Sequence, residues 1–266
     1  MATHVLQSMN RSLGNLLPGL AARLAARLFT TPVRRRRARP VPADAEPITF
    51  RFGLAGLRWG QTGPLVLALH GWQGHAAQFA PLAQRLVQHG YRVIALEAPA
   101  HGRSPGRHAH PIIFSDALLE IRDELGAIHA VIGHSMGGGA IIHALSQGLP
   151  ANRAIVIAAP SAFLDVLQRG ARHLGLPARA RNRFIALMER LTGIPVQSLD
   201  IAAEGARLEQ PLLVVHDHND AVIPYADGER IAQLTGAELI STRGLGHGAI
   251  LRDGAVANAV LTFLDP

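Results

Sequence analysis

The sequence predicts an α/β fold: a mostly parallel central sheet of about eight strands, helices on both of its faces, and a helical cap inserted within the same domain. Three observations lead there. Short, continuously apolar runs recur along the chain, such as LVLAL at 65–69 and AIVI at 154–157, and a strand without polar alternation is one buried on both sides. Between these runs lie longer stretches of helical character, and strand then helix in repetition is the rhythm of a parallel sheet. Finally, 266 residues of which 48% are hydrophobic can bury one large core, and with no cysteine neither disulfides nor thiolate metal sites are available.

Residues 1–45 read as a basic amphipathic extension. They hold eight arginines (Arg11, Arg23, Arg27, Arg34, Arg35, Arg36, Arg37 and Arg39) against Asp44 alone, a balance of +7. Leu13, Leu17, Leu20, Leu24 and Leu28 recur at helical spacing, Pro18 suits a helix start, and Pro32 stops it. Two readings stand side by side: an interfacial membrane anchor or targeting segment, or a helix resting on the domain and followed by a solvated, charged linker. No apolar run approaches a transmembrane span and no secretory h-region is present, so a cytoplasmic protein is expected, with peripheral membrane contact through residues 1–45 as the alternative.

The α/β core is expected over 46–160 and 211–266. It opens with an antiparallel hairpin, 48–52 with 57–59, punctuated by Gly53 and Gly56. Then follow strand 65–69, a helix over 76–88 ended by Gly90, strand 92–96, helix 115–125, strand 128–132, a helix beginning at Ser135, and strand 154–157. After residue 210 come strand 212–215, a helix from Tyr225 to Leu234, strand 238–240 and a closing helix over 248–264. The exception is 161–210, which is helix-prone, carries arginines at 169, 172, 179, 181, 183 and 190, is broken by Pro177 and Pro195, and is too long for an ordinary connection. It is the expected helical insertion over one edge of the sheet. Residues 46–266 hold 18 arginines against 18 acids, so the globular part is neutral and nucleic acid is not an expected partner.

The chemistry is concentrated in Gly133-His134-Ser135-Met136-Gly137, between a buried strand and a helix. A serine at so sharp a turn needs glycine on either side for room, and the turn exposes its hydroxyl above a helix amino terminus. Such a hydroxyl is a weak nucleophile and needs a base held in one tautomer by a third group. Among 14 histidines, His247 stands in a glycine-flanked loop between the last strand and the closing helix, where it can reach the turn. For the acid, Asp217 and Asp220 both follow strand 212–215. Asp220 is preferred because it lies further into the loop. His216, Asp217, His218 and Asp220 are also a metal-site alternative, disfavoured because neighbours on an extended strand face opposite ways. The backbone N–H of Met136 and, after His70-Gly71, that of Trp72 are the expected oxyanion donors.

In this order the motifs resemble the α/β-hydrolase superfamily, from about Ile48 to the carboxyl end. Ala98-Pro99-Ala100-His101-Gly102-Arg103-Ser104 looks like the family's aspartate-x-proline-glycine-histidine-glycine-x-serine turn, with Glu97 in place of aspartate and Ala100 in place of glycine. The resemblance implies a serine hydrolase of carboxylesterase or lipase type, acting on a small acyl substrate through an acyl-enzyme, with no cofactor and no metal. It makes the 161–210 segment a cap whose Phe163 and Phe184 either line an acyl pocket or form the cap's own core. A lipase working at a membrane surface and a binding module without catalysis are the alternatives.

Overall fold

The computed structural model describes residues 2–33 and 40–265; the Arg34–Arg37 run, expected as a solvated linker, lies outside them. In chain order the elements are helices α1 (Ala2–Leu16) and α2 (Pro18–Thr30), strands β1 (Glu46–Thr49), β2 (Ala55–Trp59) and β3 (Leu65–Leu69), α3 (Ala80–Gln88), β4 (Arg92–Leu96), α4 (Pro111–Leu125), β5 (Ile128–His134), α5 (Met136–Ser146) and β6 (Ala154–Ile157). There follow α6 (Phe163–His173), α7 (Ala178–Thr192), α8 (Ile201–Gly205), β7 (Leu212–Asp217), α9 (Tyr225–Thr235), β8 (Glu238–Thr242), α10 (Gly246–Ala249) and α11 (Gly254–Leu264).

The strands form one sheet in the order β1-β2-β4-β3-β5-β6-β7-β8. β1 and β2 are an antiparallel hairpin, β2 runs antiparallel to β4, and every pair from β4 to β8 is parallel. All five residues of β3 are buried. Leu65, Leu67 and Leu69 face one core layer with Phe114, Leu118 and Ile141, while Val66 and Ala68 face the other with Leu82, Val256 and Val260. Each fully buried leucine contributes roughly 2 kcal/mol of transfer free energy, which explains why these strands carry no polar alternation. The chain passes from β3 to β4 on one side, then returns to β5 on the other. That reversal makes the carboxyl ends of β3 and β5 the switch point, where loops leave in opposite directions and open a crevice.

Contacts divide the chain into two compact units, Met1–Thr31 with Ala162–Asp200, and Pro32–Ser161 with Ile201–Pro266. The amino-terminal helices thus pair with α6 and α7, where the sequence suggested an extension to residue 45. The four buried alanines of α2, Ala21, Ala22, Ala25 and Ala26, face inward. Gln7 Nε2 and Asn10 Nδ2 donate to the carbonyls of His173 and Leu174, both at 2.9 Å, tying α1 to the end of α6. The inserted segment ends at Asp200, ten residues before the expected boundary. Ile201 is buried close to Gly139 and the Ala202 N–H donates to Ser161 O at 3.0 Å, so α8 belongs to the sheet-bearing unit. The closing helix is interrupted because the Asp253 carboxylate accepts the N–H groups of Ala255 and Val256, both at 2.9 Å, and starts α11 afresh. Among the described residues, no helix is long and apolar enough to cross a membrane.

Candidate active site

Ser135 stands between β5 and α5 with φ 55° and ψ −126°, a conformation that L-residues rarely adopt and that costs of order 1–3 kcal/mol. It is held there from both sides. The Ser135 N–H donates to Ile157 O of β6 at 2.9 Å, and Ser135 O accepts from Gly138 N at 2.9 Å. The flanking glycines are required by contact: a Cβ on Gly133 would lie 2.5 Å from Gly138 Cα, and one on Gly137 would lie 2.4 Å from Leu69 O. Gly71, just past β3, comes so close that a Cβ there would meet Ser135 Cβ at 2.6 Å. The loop carrying Trp72 therefore abuts the serine, and Met136 is the first residue of α5, whose amino terminus begins at the same point.

Histidines buttress that loop. His70 Nδ1–H donates to Gly71 O at 2.7 Å, and its Nε2 accepts from Ala98 N at 3.1 Å. His101 Nε2 accepts from Gln73 N at 3.1 Å, with the two imidazoles 5.0 Å apart. Glu97, standing where the family has aspartate, accepts the Arg103 N–H at 2.7 Å. Its carboxylate covers the space where Gly102 would otherwise carry a Cβ. Ala100 adopts φ 66°, the left-handed region that the family's glycine reaches without strain.

On the other side, the turn after β7 delivers Asp220, and the short helix α10, following β8, delivers His247. His247 Nδ1–H donates to Asp220 Oδ2 at 2.7 Å. Asp220 Oδ1 accepts from Val222 and Ile223 N–H at 2.8 and 2.9 Å. Burial raises the Asp220 pKa, but the hydrogen bonds from His247, Ile223 and Val222 outweigh it and leave it below the ordinary value.

The two aspartates separate cleanly. Asp217 accepts from Asn219 N at 2.8 Å, Thr242 Oγ1 at 2.7 Å and Leu245 N at 3.1 Å. It pins the backbone two residues before His247. Burial opposes its ionisation, but these bonds and the Gly246 N–H bring its pKa down to about 2. His216 donates to Ile223 O at 3.0 Å, and His218 stacks on Tyr225 at 3.7 Å between centroids. These side chains turn to different partners, and among the described residues no group of three or more His, Asp or Glu is placed to hold a metal ion.

Sequence reasoning set His134 aside as pointing away from the serine hydroxyl. The structure gives it a positioning contact: its Nε2–H donates to His247 O at 2.7 Å, while Nδ1 accepts from Gln78 Nε2 at 3.4 Å. The residue preceding Ser135 thus binds the loop that bears His247. Phe163 and Phe184 are buried in the other unit, and Phe184 meets Phe29 edge-on at 5.1 Å, a contact belonging to that unit's own core.

Burial, with the nearby His101, holds the His70 pKa down to about 3; burial, with His247, brings His134 to about 4; burial, with His108, brings His110 to about 4. Each remains neutral when folded at a pH where the unfolded chain, at 6.5, takes up a proton. Unfolding therefore binds protons, and stability falls as pH drops from 6.5 toward 4 by up to roughly 1.4 kcal/mol per pH unit for each histidine. The depressed Asp217 adds to the loss only below its unfolded value of 3.8. Denaturant midpoints measured across this range should decline steadily; a flat profile down to pH 4 would contradict the neutral, buried state of these rings.

A family model described as serine aminopeptidase S33 matches residues 60–190, and one described as TAP-like protein matches 189–266, so the two together run through Ser135, Asp220 and His247. An esterase of Pyrococcus furiosus superposes with a TM-score of 0.65 at 19% identity, covering 89% of this chain and 97% of that one. The chain belongs to the α/β-hydrolase superfamily. Within this superfamily it is similar to a non-heme chloroperoxidase of Streptomyces lividans, 26% identical over 75% of this chain and 91% of that protein. It is also similar to a monoacylglycerol lipase of Mycolicibacterium smegmatis, 28% identical over 66% of this chain and 76% of that protein. Relatives of this kind support a hydrolase enzyme on the α/β-hydrolase fold.

Proposed function

We propose that the protein is a serine hydrolase that cleaves a carboxylic ester or a related acyl substrate, with Ser135 as nucleophile, His247 as base and Asp220 as the carboxylate that orients the base. One observation carries this reading: a serine held at φ 55° between a strand and a helix, whose preceding residue His134 binds the backbone carbonyl of His247, while His247 Nδ1 is committed to a buried aspartate at 2.7 Å. With Nδ1–H donated to Asp220, the Nε2 of His247 is left with its lone pair free to accept a proton.

In the proposed mechanism the Ser135 hydroxyl oxygen attacks the substrate carbonyl carbon while its proton passes to His247 Nε2. The carbonyl electron pair becomes an oxyanion, received by the backbone N–H groups of Met136 and Trp72 and favoured by the positive end of α5. Collapse expels the alcohol, which takes the proton from His247, and leaves an acyl ester on Ser135. Water then attacks that ester with His247 again as base, releasing the acid. Asp220 remains ionised throughout, consistent with its lowered pKa, and stabilises the imidazolium. A lipase acting at a membrane surface is the second reading, favoured by the exposed leucines of α2.

The test is labelling of the intact protein by a serine-directed fluorophosphonate, with the adduct located by peptide mass, alongside hydrolysis of p-nitrophenyl esters of increasing acyl length. A single adduct on Ser135 and turnover with an optimum chain length are expected. A folded protein that neither labels nor turns over any ester would sink the reading.

A further inference from the structure

The unit built from α1, α2, α6 and α7 presents a surface that its own packing leaves unused. On α2 the alanines turned inward are 2–3% exposed, while Leu17, Leu20, Leu24 and Leu28 are 54%, 38%, 47% and 61% exposed. At about 100° per residue these four leucines fall in one strip roughly 80° wide. Leu16, at the junction of α1 and α2, is 79% exposed and lies next to it in sequence. Ordinary amphipathic helices bury their large apolar side chains and expose the small ones; α2 does the reverse. Continuous apolar surface of this kind marks a binding face.

Charge indicates what that face meets. Exposed Arg23 and Arg27 follow one border of the strip by helical position. The two segments that build this unit hold nine arginines, including Arg11, Arg172 and Arg183, against only Asp165, Glu189 and Asp200. Six charges of the chain's formal +7 therefore belong to it. An uncharged protein face would be met by the leucines alone, whereas the flanking guanidinium groups call for anions. α2 has 13 residues, about 20 Å of helix, too short to span a hydrocarbon layer of roughly 30 Å.

We propose that α2 docks in the plane of an anionic lipid surface, with the leucine strip among the upper acyl chains and Arg23 and Arg27 on headgroup phosphates. The docking rests on this unit alone and is independent of which bond the enzyme cuts.

Co-sedimentation of the full chain with vesicles tests it, using phosphatidylcholine alone and phosphatidylcholine mixed equally with phosphatidylglycerol. Binding to the mixed vesicles is expected, weakening as salt screens the arginines. The double variant Leu20→Glu with Leu24→Glu should lose at least about tenfold in partitioning, because two charges replace two inserted side chains. Arg23→Gln and Arg27→Gln should each cost about fivefold on the mixed vesicles. These positions lie on the exposed face, so the helical circular-dichroism signal and the hydrolysis of a water-soluble ester should be unchanged. Wild-type protein left in the supernatant, or equal binding by the leucine double variant, would overturn the proposal. So would a wild-type dimer in sedimentation velocity that the leucine variant splits while neither form binds vesicles, since the strip would then be a contact between two copies.

Discussion

Ser135→Ala is expected to lower ester turnover by on the order of 10⁴-fold or more while leaving the fold intact. The size follows from the division of labour in the proposed mechanism. Without the hydroxyl no acyl-enzyme forms, and what remains is the rate gained from binding the substrate and from the oxyanion-binding N–H groups. The backbone interactions that hold the turn, Ser135 N–H to Ile157 O and Gly138 N–H to Ser135 O, do not involve the side chain. Alanine meets the same φ of 55° that serine does, so thermal unfolding should change little. Steady-state rates and melting curves on the same preparation separate the two effects. Turnover surviving in the alanine variant would remove Ser135 from the mechanism.

Asp220→Asn is the second large effect, a fall in kcat of about 10⁴-fold with a smaller change in KM. The amide oxygen can still accept the Val222 and Ile223 N–H groups, so the loop keeps its local bonds. The amide nitrogen then faces His247 Nδ1, where the carboxylate accepted the Nδ1–H hydrogen bond at 2.7 Å. Two donors cannot share that position, so the imidazole adopts the other tautomer and presents Nε2–H to Ser135. A base already carrying its proton cannot take another. The imidazolium formed in the transition state also loses its countercharge. Activity of the asparagine variant within about tenfold of the wild type would show that Asp220 is not the orienting carboxylate.

The sheet was legible in the sequence because burial on both faces forces a composition that no surface segment shares. LVLAL at 65–69 reads as a strand from either side, and β3 has those bounds. The pairing of His247 with Asp220 was also accessible, since loop position alone separated Asp220 from Asp217. What Asp217 does instead was not: it accepts from residues 219, 242, 245 and 246, which come together only when β7 and β8 are paired. His134 escaped for the same reason, because its partner is a backbone carbonyl 113 residues away. Helix α1 is fixed by amide side chains donating to carbonyls at the far end of α6, 166 and 164 residues away in sequence, contacts that no local pattern announces. The leucine periodicity of α2 was read correctly as helical. Periodicity alone does not say which face is buried, and here the alanines are.

The pairing of α1 and α2 with α6 and α7 also has a history in time. In chain order α2 is complete at residue 30, and α7 only at residue 192. At a synthesis rate of 5–20 residues per second that is an interval of roughly ten to thirty seconds. Throughout it the alanine face lacks α7, and the leucine face is exposed as well. The nascent chain then carries a helix apolar on every side but the border held by Arg23 and Arg27. Docking of α7 hides the alanines and leaves the leucine strip as the apolar surface that α2 still exposes.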